Sequence, residues 1–365
     1  MSVRVGKNKT LFVVGPASLS LIEGKAAVLA APLQPNQRIM VREGKAAPVY
    51  CETDSRFEVT LGKDASITEV EGNTIPVKWD DAVQKILGLA ENQNMVVMIV
   101  GGTDVGKTSF TIFLINKTLE KSLRVNVVDA DIGQSDVGPP TTIGVLEPKK
   151  YVYDLFCETP SQIAFIGSTT PSNVQTRMVE TVSNICLSSK QKFNLTILNT
   201  DGWVDGEEAQ NYKVNMAKSA GVDLAVVFQP SNESFSLTDK LRENGLSVLE
   251  VDPSPLVKKR SREERRKLRW QSYQKYMRDS TVRTIPIEKV KVLGLENGWK
   301  QGLVTGLYDS NMNFLGLGIL KDVNPTRKII RILTPVRVRI GKIEVGQTIV
   351  DVDLKTIKTQ AEKQS

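Results

Sequence analysis

Histidine is missing from all 365 residues, and that absence removes whole classes of chemistry. A Ser-His-Asp or Cys-His relay cannot be assembled, and the usual His-containing zinc sites are closed. Acid-base work falls to Asp, Glu, Lys or Tyr. Cysteine is nearly as scarce. Cys51, Cys157 and Cys186 stand far apart and form no CxxC pair, which argues for reduced thiols and against a disulfide framework or a zinc site. No apolar run approaches the roughly 18 residues of a membrane span, and the opening MSVRVGKNKT lacks the apolar segment of a secretory signal. The expectation is a cytoplasmic protein with no membrane association.

The chain is long enough for two or three domains, each with its own core. Apolar residues make up 40% and charged residues 24%, a globular balance. The net charge of +7 is concentrated: residues 258–269 hold eight Lys or Arg against two Glu. The rest of the chain is close to neutral, so the charge is a local cationic device and a poor match for whole-surface attraction to nucleic acid.

Short apolar runs to about residue 78, such as LFVV (11–14), RIMV (38–41) and RFEVTLG (56–62), are separated by Gly, Pro, Asn and Asp. They predict a small antiparallel β domain. The period then changes. DDAVQKILGLAENQ reads as an amphipathic helix, and apolar strands follow at 95–100, 124–130, 162–167, 193–200, 222–228 and 246–251 with helices between. Alternation of this kind predicts an α/β fold, a mostly parallel sheet covered on both faces. From about residue 281 the β pattern returns, and the last ten residues, TIKTQAEKQS, read as a frayed tail. The expected organisation is an N-terminal β domain (1–78), a P-loop domain (79–280) with a basic lid at 258–278, and a C-terminal β domain (281–365).

Directly after the strand MVVMIV comes GGTDVGKT, residues 101–108, followed by a helix. This is the strand-loop-helix context in which G-x-x-x-x-G-K-[ST] binds phosphate. Gly101 and Gly106 let the backbone curl, and the N–H groups of Gly101, Gly102, Thr103, Asp104, Val105 and Gly106, with the helix start at Lys107, Thr108 and Ser109, surround the phosphate chain. Lys107 reaches the β- and γ-phosphates and Thr108 ligates Mg²⁺ or another divalent cation. Next comes VNVVDADIGQSD, a β-rich run ending in Asp129 and Asp131. A carboxylate at a neighbouring strand end is where P-loop proteins hold their metal. Thr108, Asp129 and Asp131 are thus the candidate metal ligands, and one of the two carboxylates is free to orient an acceptor hydroxyl or act as its base.

A guanine-reading [NT]-K-x-D is absent, which argues against a GTPase switch. A kinase needs an acceptor site and cations over the transferring phosphoryl group. Ser261 and Glu264 form an S-x-x-E capping box, so a helix begins at Arg262. Arg260 lies just before it; Arg262, Arg266 and Arg269 share one face, with Arg265 beside it. Guanidinium groups match phosphate oxygens with paired donors, and VDPSP upstream offers a hinge.

Together GGTDVGKT, DADIGQ (129–134), GSTTPS (167–172), NTDGWV (199–204) and the RSxxxRRxxR pattern at 260–269 resemble the polyribonucleotide 5′-hydroxyl kinase family, RNA kinases related to a eukaryotic mRNA 3′-end cleavage factor subunit. The resemblance covers residues 95–270 and is architectural beyond. It implies ATP and Mg²⁺ on Lys107 and Thr108, Asp131 as base or orienter, Arg260 and Arg265 as lid arginines, and an RNA grip involving Gln134, Thr169, Trp203, Arg266 and Arg269. An indole face stacks on any base, which suits such a grip. Two positions depart from the pattern: Gly102 where relatives often carry Pro, and Asp201 where an uncharged residue is common, a carboxylate that would bear on acceptor preference. The implied partner is a single-stranded 5′-OH RNA end, with DNA ends and RNA-processing proteins as further partners to test. Two other expectations compete: an ATP-holding scaffold subunit without turnover, and a kinase for a small hydroxyl substrate.

Overall fold

The computed structural model describes residues 1–229, 236–256, 259–295 and 298–350. The TIKTQAEKQS tail and Lys258 of the basic run lie outside these residues. The chain divides into two compact units, each discontinuous in sequence: Met1–Val128, Leu146–Thr159 and Val182–Glu264 form the first, and Asp129–Val145, Pro160–Thr181 and the residues from Arg265 on form the second. The three-way division read from the sequence follows changes of secondary structure, whereas the compact units cut through the strands Val125–Ala130 and Thr142–Leu146 and two helices.

In the first unit, nine antiparallel strands before residue 72 build two sheets. One runs in the order Ser2–Val5, Ser55–Leu61, Ala17–Glu23, Arg38–Val41, and the other Ala31–Pro32, Ala26–Val28, Ala46–Cys51, Lys9–Val14, Ser66–Glu71. Alternation sets which face is buried: in Ser55–Leu61, Phe57 and Val59 point inward while Glu58 and Thr60 are exposed. Helix Val77–Ala90 follows and buries Ala82, Val83, Ile86, Leu87 and Ala90, an i, i+4 stripe. It starts three residues before the expected helix. The strand Met95–Val100 then pairs in parallel with Leu195–Thr200 and with Leu224–Phe228, which pairs in parallel with Ser247–Val251. Met95–Val100 is buried at every position, as a strand covered on both faces must be.

The second unit contains a strand the sequence reading did not identify, Thr142–Leu146, and it pairs antiparallel with Gln162–Phe165. The 162–167 run is therefore not one more parallel strand. A short Pro-bounded stretch, TTIGVLEP, is too brief for its period to declare itself. The C-terminal strands form a six-stranded sheet in the order Thr281–Pro286, Ile329–Thr334, Phe314–Asn324, Leu303–Tyr308, Lys342–Ile349, Lys291–Leu293. Helix Arg262–Tyr276 enters this unit at Arg265. Its Tyr273, with Met277, packs into a cluster with Phe165, Val304, Leu317, Ile319 and Leu333. The chain is α/β, a P-loop region with β sheets before and after it in sequence.

Candidate active site

The phosphate loop rests on aromatic rings. Trp79, Phe110 and Phe228 meet edge to face with centroids 5.3 to 5.8 Å apart, each such pair contributing about 0.5–1.5 kcal/mol beyond its buried area. Gly101 lies against this cluster: a Cβ there would come within 2.7 Å of Phe228. Gly106, with φ +106°, faces the Trp79 ring at 3.3 Å in the same sense, a left-handed position that favours glycine. The helix Lys107–Glu120 begins directly after Gly106. Lys107 is buried, and its Nζ donates to the carbonyls of Gly101 at 2.9 Å and Gly102 at 2.6 Å. The ammonium is therefore already folded over the loop that would take phosphate.

Asp104 and Arg260, 156 residues apart, are joined. Arg260 Nη1 donates to Asp104 Oδ1 at 2.9 Å, its backbone N–H to Oδ2 at 3.0 Å, and its Nε to the Gly44 carbonyl at 3.2 Å. Asp104, expected to offer its N–H to phosphate, is through its carboxylate the anchor of a lid arginine. No spacing rule could have paired them; only their opposite charges hinted at it. The VDPSP stretch, expected as a hinge, is pinned at its start: Trp79 Nε1 donates to the Asp252 carbonyl at 2.8 Å and Ser254 N–H to the Val105 carbonyl at 3.4 Å.

The turn carrying Trp203 also belongs to the first unit. Gly202 sits so close to Thr103 of the phosphate loop that a Cβ would lie 2.5 Å from its side chain and 2.9 Å from its nitrogen. Asp201 is buried and ion-paired at 2.8 Å with Lys213, itself fully buried. Asp201 Oδ1 accepts from the Trp203 N–H at 2.9 Å, and the Trp203 ring lies on Tyr212, centroids 5.6 Å apart at 33°. Asp201 is consequently neutralised and turned inward, which removes the concern that it projects a carboxylate toward an acceptor. Lys213 was missed, yet the sequence carries a signal: it occupies the apolar phase of helix Glu207–Ser219, among buried Ala209, Tyr212, Met216 and Ala217.

The second unit gathers the remaining candidates. Asp129 is buried, and its Oδ2 accepts from the Ser135 hydroxyl at 3.0 Å and the N–H groups of Asp136 and Val137 at 2.8 and 3.1 Å. The sequence expected a metal ligand here; the geometry also gives this carboxylate the task of fixing the 131–137 loop. Asp131 is half-buried, and its Oδ1 accepts from the N–H groups of Gly133 and Gln134 at 3.2 and 2.9 Å. Gly133 in turn faces the Thr169 carbonyl, 3.0 Å from where a Cβ would stand. Thr169 is tied down by donation of its N–H to Thr348 Oγ1 at 3.2 Å. Gln134 Nε2 donates to the Arg265 carbonyl at 3.4 Å. Three segments far apart in sequence thus meet around Asp131.

Helix Arg262–Tyr276 presents a different face from the expected one. Its capping box forms: Ser261 N–H donates to Glu264 Oε2 at 2.7 Å and Glu264 N–H to Ser261 Oγ at 3.1 Å. Arg262 and Arg266, however, are exposed, while Arg265 and Arg269 are half-buried on the stripe that continues to Ser272, Tyr273 and Tyr276. Ser272 Oγ and Tyr276 OH donate to the carbonyls of Gly138 and Val137, so docking at the helix's far end sets which arginines turn inward. Burial pulls the Arg269 guanidinium below its ordinary pKa; Tyr273 raises it, Arg265 and Arg266 lower it, and Asp131 raises it. A guanidinium starts so high that it stays charged. Asp131 lies close enough to act on the charge of the Arg269 guanidinium.

Among the described residues no three His, Cys, Asp or Glu side chains form a metal cage. The Thr108 hydroxyl of the first unit and the Asp131 carboxylate of the second are each hard oxygen donors of the kind Mg²⁺ takes, one or two of them together with phosphates and water.

Comparison with known proteins gives this chain relatives in sequence and in fold. Residues 101–279 match the family model for the P-loop of mRNA cleavage and polyadenylation factor CLP1. A polyribonucleotide 5′-hydroxyl-kinase of Methanocaldococcus jannaschii is 25% identical, with 73% of this chain and 92% of that protein covered. One from Pyrococcus horikoshii is 26% identical over 75% of this chain and 92% of its own length. The Homo sapiens polyribonucleotide 5′-hydroxyl-kinase Clp1 is 26% identical over 71% of this chain and 64% of its own length. A solved structure of Clp1p in complex with Pcf11p shares the fold, with a TM-score of 0.75 over 96% of this chain and 97% of that one at 12% identity. Over residues 101–279, then, the chain is similar to the CLP1 P-loop family.

Proposed function

We propose that this protein is an ATP-dependent kinase that phosphorylates the 5′-hydroxyl end of RNA. The observation that carries the reading is the acceptor set of the second unit, where Asp131, Gln134 and Thr169 converge beside Arg265 and Arg269. A phosphate loop alone is compatible with any nucleotide-binding role. A half-buried carboxylate close to a fixed guanidinium charge is what alignment of a hydroxyl toward a phosphoryl group asks for. The curated relatives named above are polyribonucleotide 5′-hydroxyl-kinases, which favours RNA as the acceptor.

In this reading the 101–106 backbone and Lys107 hold the triphosphate, and Thr108 is the residue of the phosphate loop that would hold Mg²⁺. When bound, the cation neutralises charge on the β- and γ-phosphates. Asp131 accepts the proton as the 5′-oxygen attacks the γ-phosphorus, the bond to the bridging oxygen breaks, and ADP leaves. Arg260, Arg265 and Arg269 offset charge on the transferring group, and the Trp203 face supports the terminal base. The test is transfer of label from γ-labelled ATP to a short single-stranded 5′-OH RNA, with the matching DNA in parallel. Wild type labels the RNA end; Asp131→Asn and Arg260→Ala/Arg265→Ala keep ATP binding but lose transfer. ATP binding with no transfer to either polymer would sink the kinase reading and favour a nucleotide-loaded scaffold in an RNA-processing assembly.

A further inference from the structure

The second unit carries an open cleft of about 840 Å³ that the acceptor residues do not line. Its size is that of a small-molecule site. Four aromatic side chains line it, Phe165, Tyr276, Tyr308 and Phe314, together with Gln162, Asn313 and Arg177. Tyr308 and Phe314 meet edge to face, centroids 5.7 Å apart, and both are half-buried, so each ring retains exposed surface.

Charge narrows the ligand class. No Asp or Glu is among the described residues of the lining, and its one charged member is Arg177. Arg177 Nη2 donates to the Phe165 carbonyl at 2.6 Å, and its other nitrogen pairs with Glu344. Lys342 lies 3.1 Å from the same carboxylate and 4.6 Å from the centre of the Tyr308 ring. Two cations, one of them in the lining, thus share one carboxylate. A ligand with a flat π face, an edge for the amides and a nearby anion satisfies all three features, and a nucleotide has them.

Position says which nucleotide. Tyr276 stands seven residues after Arg269 on the same helix, ~10 Å along its axis. Pro139 brings the end of the Asp131 loop segment to the same wall. We propose that the cleft is a stacking subsite for a base lying 3′ of the acceptor end. Unstacked RNA bases on aromatic side chains are bound with little sequence preference. The proposal rests on the reading that the second unit grips the 5′-OH end, and its test has an arm that does not require transfer.

Transfer is measured on 5′-OH di- and hexauridylate with the full chain. In wild type the KM for the longer RNA is about tenfold lower, the scale of one stacked base, and in Phe314→Leu the ratio of the two KM values falls toward one. Leucine keeps apolar packing against Tyr308 but removes the ring face. Anisotropy of labelled hexauridylate, run with Phe314→Leu and with Gln162→Ala, reads the same loss without catalysis. A 4-thiouridine at the third position should crosslink within 308–317. A KM ratio and an affinity that neither variant changes, or a crosslink outside the unit, overturns the subsite. Absent transfer with a hexamer affinity that Phe314→Leu still weakens leaves the subsite standing and the kinase reading fallen.

Discussion

Lys213 stands where an apolar side chain belongs, and the energetics of its pairing make it informative. Removing one partner of a buried ion pair leaves the other charge stranded, at about 3–5 kcal/mol, whereas replacing both with apolar groups is often neutral. Lys213→Met should therefore lower the urea midpoint sharply, and Asp201→Leu/Lys213→Met should recover much of the loss. Because Asp201 also holds the Trp203 N–H, the single variant should raise the KM for RNA as well, a readout that stability alone would leave unmoved. The thiols give a second residue-scale expectation. Burial pushes Cys51 up to about 11 and Cys186 up to about 12, while Cys157 is exposed. Iodoacetamide at pH 8 should modify Cys157 in the native protein and reach the other two only on unfolding, as intact mass would report. Single residues were unevenly legible in sequence. The P-loop positions announce themselves because their chemistry needs fixed spacing. Asp104 gave no sign of its partner, because an ion pair across 156 residues leaves no periodicity to read.

Helix Arg262–Tyr276 shows what patterning can and cannot establish about an element. Its start was readable to the residue, since a capping box is local chemistry. Its orientation was not: four arginines offer more than one plausible face, and the choice is made by Ser272, Tyr273 and Tyr276 against the second unit's own backbone and core. That choice separates two charge deletions the sequence would treat alike. Arg269→Met, from a half-buried position close to Asp131, should cut kcat by about 10²-fold or more. Arg266→Met, from an exposed one, should change it less than about fivefold and mainly through a salt-dependent KM. Equal losses in steady-state assays would contradict the assigned face.

At the scale of the whole molecule, secondary structure was largely foreseeable and tertiary grouping was not, because grouping depends on pairs such as Arg42 with Asp154, 112 residues apart at 2.6 Å. The C-terminal sheet predicts a pH response. Burial disfavours the charged Glu344 carboxylate, but Arg177 and Lys342 outweigh it and hold its pKa below the ordinary 4.5. A depressed carboxylate contributes stability above its unfolded pKa and loses that contribution as pH falls through the folded one. Glu344→Gln should thus destabilise the protein at pH 7 and flatten its stability loss below about pH 4.5 in acid-titrated urea melts. The ring beneath the phosphate loop has an optical consequence. Trp79 is sealed from water at 1% exposure and touches Gly106, the residue at which the loop turns into its helix. With Trp203, Trp270 and Trp299 replaced by Phe, its blue-shifted emission would report nucleotide arrival from within the protein, without any label attached.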